Sequence, residues 1–260
     1  MVDSIFGNYP TLSGSTLLLG GIYFAFQIYG DFSGYSDIAI GTARLFGFKL
    51  MRNFAFPYFS RDIAEFWRRW HISLSSWFRD YVYIPLGGSR VSLGKAIRNT
   101  FIIFVVSGFW HGARWTFVAW GALNAIYFLP LILLKQNRKN MEIVAKGKIL
   151  PSIKEFLQII GTFFIVVIGW IFFRAESINQ AFDYINHMFS TSLFIMPTKI
   201  RYIPFIVFLI LIEWLQRDKQ HALQVGTIKR TWLRWAVYYG VIFIIMLFAG
   251  QQQEFIYFQF

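Results

Sequence analysis

An apolar run from residue 99 to 134 is interrupted near its middle by the segment SGFWHGARWT at 107–116. As one straight helix the run would extend about 54 Å, much more than the roughly 30 Å hydrocarbon core of a bilayer. The run is therefore predicted to fold back on itself. Residues 115–134 suffice for one complete span, whereas 99–113 would extend only about 22 Å as a helix and cannot cross the core. We expect a short re-entrant or broken helix that carries Trp110 and His111 at a turn below one membrane surface.

The turn contains two ionisable residues, His111 and Arg114, which make it a candidate functional site. Ionisable residues at membrane depth usually face a protein-lined or water-filled cavity, and irregular backbone is tolerated there only under the same condition. The turn is therefore predicted to form the floor of a funnel, with close backbone approach at Gly108 and Gly112. A histidine that only holds helices together by hydrogen bonding explains this single feature equally well.

The composition places the whole chain in a membrane. Hydrophobic residues make up 56% of it and aromatic residues 21%, and several charge-free runs approach twenty residues, which excludes an ordinary soluble domain. The predicted fold is all-α, a polytopic transmembrane protein with a single membrane domain over residues 1–260. The predicted spans are 12–30, the bipartite 99–134, 156–173, 202–216 and 235–250.

The net charge of +12 is distributed as membrane topology requires. Of the 25 lysines and arginines, 21 lie in the segments 44–98, 135–154 and 217–234. By the positive-inside rule these segments are cytoplasmic, while the 174–201 loop, the C-terminus and the turn at His111 face outward. Contact with membrane lipids accounts for the basic runs, so no nucleic-acid partner is predicted.

Several catalytic schemes are excluded by the residues present. The sequence contains no cysteine, so neither a disulfide nor a thiolate nucleophile is available. The four histidines, at 71, 111, 187 and 221, lack metal-ligand spacing, and neither a nucleotide-binding loop nor a Gly-x-Ser-x-Gly elbow occurs. No metal and no bound cofactor is predicted. A buried histidine that acts as a general base remains.

An aromatic and basic segment follows the first span. Its apolar residues have the three-and-four spacing of one helical face, which predicts an amphipathic helix in the membrane interface: Ile63, Phe66, Trp67, Trp70, Leu74, Trp77, Phe78 and Tyr81. Ser60 is the predicted N-cap and Pro85 marks the end. His71 falls on the face of Trp67 and Leu74, where a lone histidine more often has a structural role.

The segment DFSGYSD at 31–37 ends the first predicted span. Gly34 and the pair Ser36 and Asp37 predict a turn and an N-cap for a helix over 38–48. The alternative is that this segment lines the entry for a polar substrate.

Four segments of the sequence resemble the membrane-bound O-acyltransferase family, most closely its bacterial alginate and peptidoglycan O-acetyltransferase branch. They are QIYGDFSGYSDIAIG (27–41), NFAFPYFSRDIAEFWRRWHISLSSWFRDYVYIPLGGSR (53–90), SGFWHGARWTFVAWGALN (107–124) and FIYFQF (255–260). The resemblance implies that His111 is the catalytic residue at the base of an outward-facing funnel, and that His71 is a second hallmark position nearer the cytoplasm. Such proteins usually carry further spanning helices before DFSGYSD, so the chain is expected to be a C-terminal catalytic portion with little activity alone.

The function implied by the resemblance is O-acetylation of a cell-surface polysaccharide such as alginate or peptidoglycan. Acetyl would pass outward across the bacterial inner membrane from a cytoplasmic donor, acetyl-CoA, with an esterase-like periplasmic protein as partner. His111 is expected to act as the base and His71 with Arg68 to hold the donor; Trp110, Tyr35 and Asp37 are the other expected substrate-binding residues. A non-catalytic fragment or scaffold remains the alternative. A transporter is less favoured, because carboxylates occur only at span ends.

Overall fold

The computed structural model describes residues 1–248, and within them the chain is helical and contains no strand. The FIYFQF segment and the predicted outward C-terminus lie outside the described residues. The α-helices are α1 (Val2–Gly7), α2 (Gly14–Leu45), α3 (Ile63–Arg69), α4 (Ile72–Phe78), α5 (Leu93–His111), α6 (Trp115–Leu133), α7 (Ile153–Arg174), α8 (Ile178–Met188), α9 (Ile203–Leu215) and α10 (Thr231–Phe248). A π-helical turn covers Arg79–Tyr83, and 3₁₀ turns cover Tyr9–Thr11, Pro57–Phe59, Thr191–Phe194, Ile200–Tyr202 and Val225–Thr227.

Three helices within residues 1–248 are long and apolar enough to cross a membrane, namely α6, α7 and α10. This confirms the prediction of an all-α membrane protein. The predicted span at 202–216 corresponds to α9, whose 13 residues extend only about 20 Å. It is therefore shorter than a complete crossing of the hydrocarbon core.

The predicted turn at 31–37 is wrong, because these residues lie inside α2, a helix of 32 residues without a break. Helix extension adds one hydrogen bond for each residue fixed, so a helix already formed can absorb a single glycine such as Gly34. The polar side chains of the segment are also engaged elsewhere. Ser36 accepts a hydrogen bond from Asn53, and the Asp37 carboxylate lies 3.4 Å from His221 Nδ1. They do not compete for the helix backbone as they would in a turn.

The single interfacial helix predicted over 63–81 is instead two helices, α3 and α4, that break at Trp70 and His71. The predicted N-cap is also wrong. Ser60 donates its hydroxyl hydrogen to the Pro57 carbonyl, whereas Asp62 caps α3 by accepting from the Glu65 amide at 2.7 Å. The break separates two short amphipathic segments and leaves His71 at the corner between them.

The predicted hairpin between α5 and α6 is present, with its turn at Gly112 and Arg114. Its first arm starts earlier than predicted, because α5 already begins at Leu93 and reaches 19 residues. The predicted close approach at Gly108 is confirmed: a Cβ there would overlap the carbonyl oxygen of Phe117. Gly121 fits equally tightly against the Phe104 carbonyl. Gly112 has a different role, since its φ of 154° forms the turn.

A cluster of aromatic rings forms the centre of the protein. Trp170 of α7 lies 5.0 Å from Trp70 and 5.8 Å from Trp120, measured between ring centroids. Aromatic pairs at such separations add to the free energy gained by burying their area. The end of α3, the middle of α6 and the end of α7 are thereby held together. This cluster forms one wall of the cavity described next.

Candidate active site around two histidines

A cavity of about 210 Å³ lies between the α3 and α4 corner and the α5–α6 hairpin. Both His71 and His111 line it. Most of the other lining residues are aromatic or aliphatic. These apolar residues are Trp67, Trp70, Leu74, Phe78, Ile103, Phe104, Trp120, Phe128 and Trp170. The two histidines therefore face a largely apolar enclosure with room for a small acyl group.

His111 is the last residue of α5, and the conformation of Gly112 ends the helix there. Its ring lies 5.4 Å from Trp120, 5.1 Å from Phe173 and 5.0 Å from Trp110, between centroids and with the planes steeply inclined. Three aromatic rings thus restrict the position of the imidazole in the wall of the cavity. A base held in a fixed position is what proton transfer to a reacting group requires.

His71 occupies the corner between α3 and α4 in the left-handed backbone region, with φ of 44° and ψ of 57°. This region is uncommon for residues other than glycine and persists only where the surroundings enforce it. The ring lies 4.6 Å from Phe32, and its Nδ1 is buried with no hydrogen-bond partner within residues 1–248. Burial lowers the pKa of His71 to about 4, so the imidazole is neutral at pH 7.

Asn53, which no sequence pattern identified, holds the corner at His71 in place. Its carbonyl accepts from the Ile72 amide at 2.9 Å, and its side-chain oxygen accepts from both the amide and the hydroxyl of Ser73, at 3.2 and 2.6 Å. Its side-chain nitrogen donates to Ser36 at 3.3 Å. Asn53 therefore links α2 to the two residues that follow His71. The only signal in the sequence is an asparagine in a loop, which does not indicate a contact twenty residues away.

Replacing Asn53 with alanine is expected to release this corner. The Ser73 amide and hydroxyl would lose their acceptor, which should lower the free energy of unfolding by about 1 to 3 kcal/mol. The thermal unfolding midpoint in detergent should fall, and modification of His71 by diethyl pyrocarbonate, followed by mass spectrometry, should become faster. Asn8→Ala is the control, because Asn8 makes one exposed hydrogen bond to Ser4. Equal His71 modification in both variants would contradict the assignment.

The other predicted site residues do not line the cavity. Trp110 contacts the His111 ring but is mostly exposed, and Tyr35 is also exposed. The Arg68 guanidinium donates at 2.8 Å to the carbonyl oxygens of residues 137 and 140 and lines a separate cavity. Asp37 faces His221. The structure thus brings together the two histidines, and the binding roles of the other four residues stay predictions.

Polar residues that the sequence analysis did not single out also line the cavity: Ser75, Arg79, Tyr83, Thr100, Ser107 and Asn137. They come from the segments 71–83, 100–107 and the loop after α6. Only the folded arrangement brings them together, so no local pattern identifies them.

Comparison with known proteins identifies the family of the chain. The profile of the membrane-bound O-acyltransferase family matches residues 9–174, a range that contains both histidines. Over 172 residues the chain is 44% identical to the probable alginate O-acetylase AlgI of Pseudomonas aeruginosa, a match that covers 66% of this chain and 31% of that protein. It is 39% identical over 186 residues to the peptidoglycan O-acetyltransferase of Helicobacter pylori, covering 72% of this chain and 34% of that protein.

A more distant match is the teichoic acid D-alanyltransferase of Streptococcus thermophilus, 37% identical over 146 residues, or 48% of this chain and 35% of that protein. The matches span about a third of the length of these relatives. The resemblance that the sequence motifs indicated is confirmed. With the profile covering well over half of its length, the chain belongs to the membrane-bound O-acyltransferase family.

Proposed function

We propose that the chain is part of a membrane O-acetyltransferase that transfers acetyl from cytoplasmic acetyl-CoA to a hydroxyl of a cell-surface polysaccharide. The observation that carries the proposal is that His71 and His111 line one apolar cavity. The family and the relatives named as O-acetylating enzymes support the same reaction class. A non-catalytic scaffold gives no reason for two histidines on one enclosure, and a proton-coupled transporter is expected to carry carboxylates within its spans, whereas the sequence has them only at span ends.

In the proposed reaction, neutral His111 accepts the proton of the acceptor hydroxyl while the hydroxyl oxygen attacks the carbonyl carbon of the thioester. The new carbon–oxygen bond forms as the carbon–sulfur bond breaks. The thiolate of the donor leaves and takes the proton back from His111, which restores the neutral imidazole. The products are the acetyl ester and free thiol. Direct transfer agrees with a sequence that contains no cysteine.

A second cavity, of about 300 Å³, supports an anionic donor. It is lined by the cationic residues Arg52, Arg68, Arg69, Arg217 and Lys219, against the acidic residues Glu65 and Asp218. The Arg68 guanidinium donates one hydrogen bond from Nη1 and one from Nη2 to backbone carbonyls, so its other N–H groups would remain for a phosphate. The segments that line this cavity are those that the positive-inside rule assigns to the cytoplasm.

The proposed acceptor is a polysaccharide of the alginate or peptidoglycan kind, because relatives are named for O-acetylating alginate or peptidoglycan. The protein would then reside in the bacterial inner membrane as a multi-pass protein with its acceptor side outward. An esterase-like periplasmic protein is the proposed partner in this modification. Trp110, Tyr35 and Asp37 are proposed to contact substrate in that assembly.

The test uses sealed vesicles of known orientation from cells that produce the chain together with the further spanning helices that members of the family usually carry. Labelled acetyl-CoA is added outside, and acetyl ester in polysaccharide is measured. We expect transfer with inside-out vesicles, which expose the 135–151 loop to the donor, and little with right-side-out vesicles. Transfer with right-side-out vesicles that equals or exceeds transfer with inside-out vesicles would contradict donor use on the cytoplasmic face. Transfer equal to that of vesicles without the protein, in both orientations, would contradict the proposed activity.

A further inference from the structure

A third cavity, of about 530 Å³, lies between α7 and α9. We name it the α7–α9 groove, and its two sides are residues of 156–163 on α7 and of 206–214 on α9. Phe26, Tyr58 and Phe163 form its base, with the Tyr58 ring 5.2 Å from Phe26 and 5.1 Å from Phe163 between centroids. Packed aromatic rings therefore close the groove toward the protein interior.

The polar side-chain atoms of the α7–α9 groove are already engaged. Of the residues that line it within residues 1–248, only Tyr58 and Trp214 carry such an atom. The Tyr58 hydroxyl donates to the Ala25 carbonyl at 2.5 Å, and the Trp214 indole N–H donates to the Ile149 carbonyl at 2.8 Å. A polar group placed in the groove would lose its water without gaining a side-chain partner, which costs free energy. The chemistry of the groove therefore fits hydrocarbon.

The course of α7 places the groove in one leaflet of the membrane. This helix is long and apolar enough to cross, and it begins at Ile153, beside the basic segment that the positive-inside rule assigns to the cytoplasm. From Phe156 to Phe163 the groove follows α7 for about 11 Å, less than half of the roughly 30 Å hydrocarbon core. Ile160 and Leu211 on its sides are 49% and 56% exposed. The groove is thus open to the cytoplasmic leaflet, and an acyl chain can enter it sideways.

A loop held in a fixed position closes the cytoplasmic end of the groove, at Pro151. The Arg217 guanidinium donates to the carbonyls of Val144 and Ala145, each at 3.1 Å. It also lies 4.3 Å from the ring centroid of Trp214, which itself lines the groove. Hydrogen bonds and a cation–π contact therefore fix the loop against the end of α9.

The same end of the groove carries two lysines. Lys148 and Lys154 each lie three positions from Pro151, and both are exposed. Neither forms an ion pair within residues 1–248, whereas the acidic residues nearest in sequence are paired, Glu142 with a lysine and Glu155 with an arginine. Two positive charges without acidic partners thus lie where the apolar groove meets the cytoplasmic surface.

We propose that the α7–α9 groove binds one acyl chain of an anionic phospholipid of the cytoplasmic leaflet, with the phosphate beside Lys148 and Lys154. Basic pockets between membrane helices on the cytoplasmic side are suited to anionic headgroups. A further helix packed in the groove would use its apolar surface but would leave the two lysines without an anion. The inference does not depend on the proposed acyl transfer, since no residue of the groove lines the cavity of the two histidines.

The first measurement is native mass spectrometry in detergent of the chain produced together with the further spanning helices usual in the family. Phosphatidylglycerol and phosphatidylcholine with identical acyl chains are added at equal concentration. We expect one molecule of phosphatidylglycerol to be retained in preference to phosphatidylcholine. Equal retention of the two lipids overturns the proposal. Retention of neither overturns it as well, and is the result expected if the further helices cover the groove.

The second measurement tests the two lysines. The double variant Lys148→Gln with Lys154→Gln should lower the preference for phosphatidylglycerol on the order of tenfold, because each basic residue near a membrane surface adds attraction for an anionic lipid. The matched control is Lys135→Gln with Lys139→Gln, which removes the same charge at exposed positions away from the groove. Equal preference in the two double variants would refute the headgroup contact and with it the proposal.

The third measurement tests the groove itself. Ile160→Trp places an indole in it and should lower lipid retention several-fold, whereas Leu157→Trp, at an exposed position of α7 that does not line the groove, should not. A phosphatidylglycerol with a photoreactive acyl chain, used on the unmodified protein, gives the same information without any substitution. The label should appear within 153–163 and 206–214. Label confined to other peptides, or equal retention by the two tryptophan variants, overturns the proposal.

Discussion

Replacing His111 with alanine is expected to lower acetyl transfer by a factor of about 10² to 10⁴, the usual effect of losing a positioned proton acceptor. The imidazole is held among Trp110, Trp120 and Phe173 at the end of α5. The alanine variant keeps the turn, because Gly112 and the contact of Gly108 with Phe117 are unchanged. The loss should therefore appear in the rate at saturating donor, with normal membrane insertion. Transfer of labelled acetyl in inside-out vesicles measures it.

His187→Ala is the matched control, because His187 lies on α8 and does not line the cavity. It should retain full transfer. His71→Ala, by contrast, should weaken donor use as well as turnover, since His71 lines the same cavity. If the His111 variant transfers acetyl at the wild-type rate at equal expression, His111 is not the base. Loss in the His71 variant alone would move the reaction centre to the α3 and α4 corner.

Replacing Glu65 with glutamine is expected to cost about 3 to 5 kcal/mol of unfolding free energy, the usual effect of breaking a buried ion pair. Glu65 is 1% exposed and accepts from Arg69 at 2.7 Å and from Arg61 at 3.0 Å. Arg61 also reaches Glu155 on α7, at 3.3 Å. Glutamine keeps the shape but leaves two partly buried guanidiniums without their carboxylate. The thermal unfolding midpoint in detergent should fall sharply, and transfer should fall with it.

Glu142→Gln provides the comparison for this prediction. Its ion pair with Lys146 is exposed on both sides, so its loss should cost less than about 1 kcal/mol. A Glu65 variant that unfolds at the same temperature as the Glu142 variant would contradict the role given to this buried cluster.

The sequence predicted the parts of the protein that depend on local or one-dimensional properties. The length of the 99–134 run, set against bilayer thickness, was sufficient to predict a hairpin with its turn at His111, and α5 does end there. The spacing around Trp67 and Leu74 placed His71 on an apolar face, where it lines the cavity with those residues. Each of these inferences needs only chain length, helix geometry or glycine chemistry.

The sequence failed where contacts between distant segments decide the structure. Ser36 and Asp37 predicted a turn, but their partners are Asn53 and His221, and α2 stays continuous. The break at His71 also depends on Asn53. The φ of His71 is 44°, in the left-handed region that a histidine seldom adopts without support from its surroundings. Such pairings have no signature in a local pattern of residues.

The reciprocal contact of Gly108 with the Phe117 carbonyl and of Gly121 with the Phe104 carbonyl has a consequence for how such a protein evolves. The distance between the two arms of the hairpin is fixed by main chain against main chain. Side chains on the walls can therefore drift, and the enclosure can change in volume or polarity, without displacing His111. Substitutions of the cavity wall can therefore change which ligand binds without changing the position of the His111 imidazole. Mutation of either glycine removes that independence, because any Cβ there pushes the two arms apart.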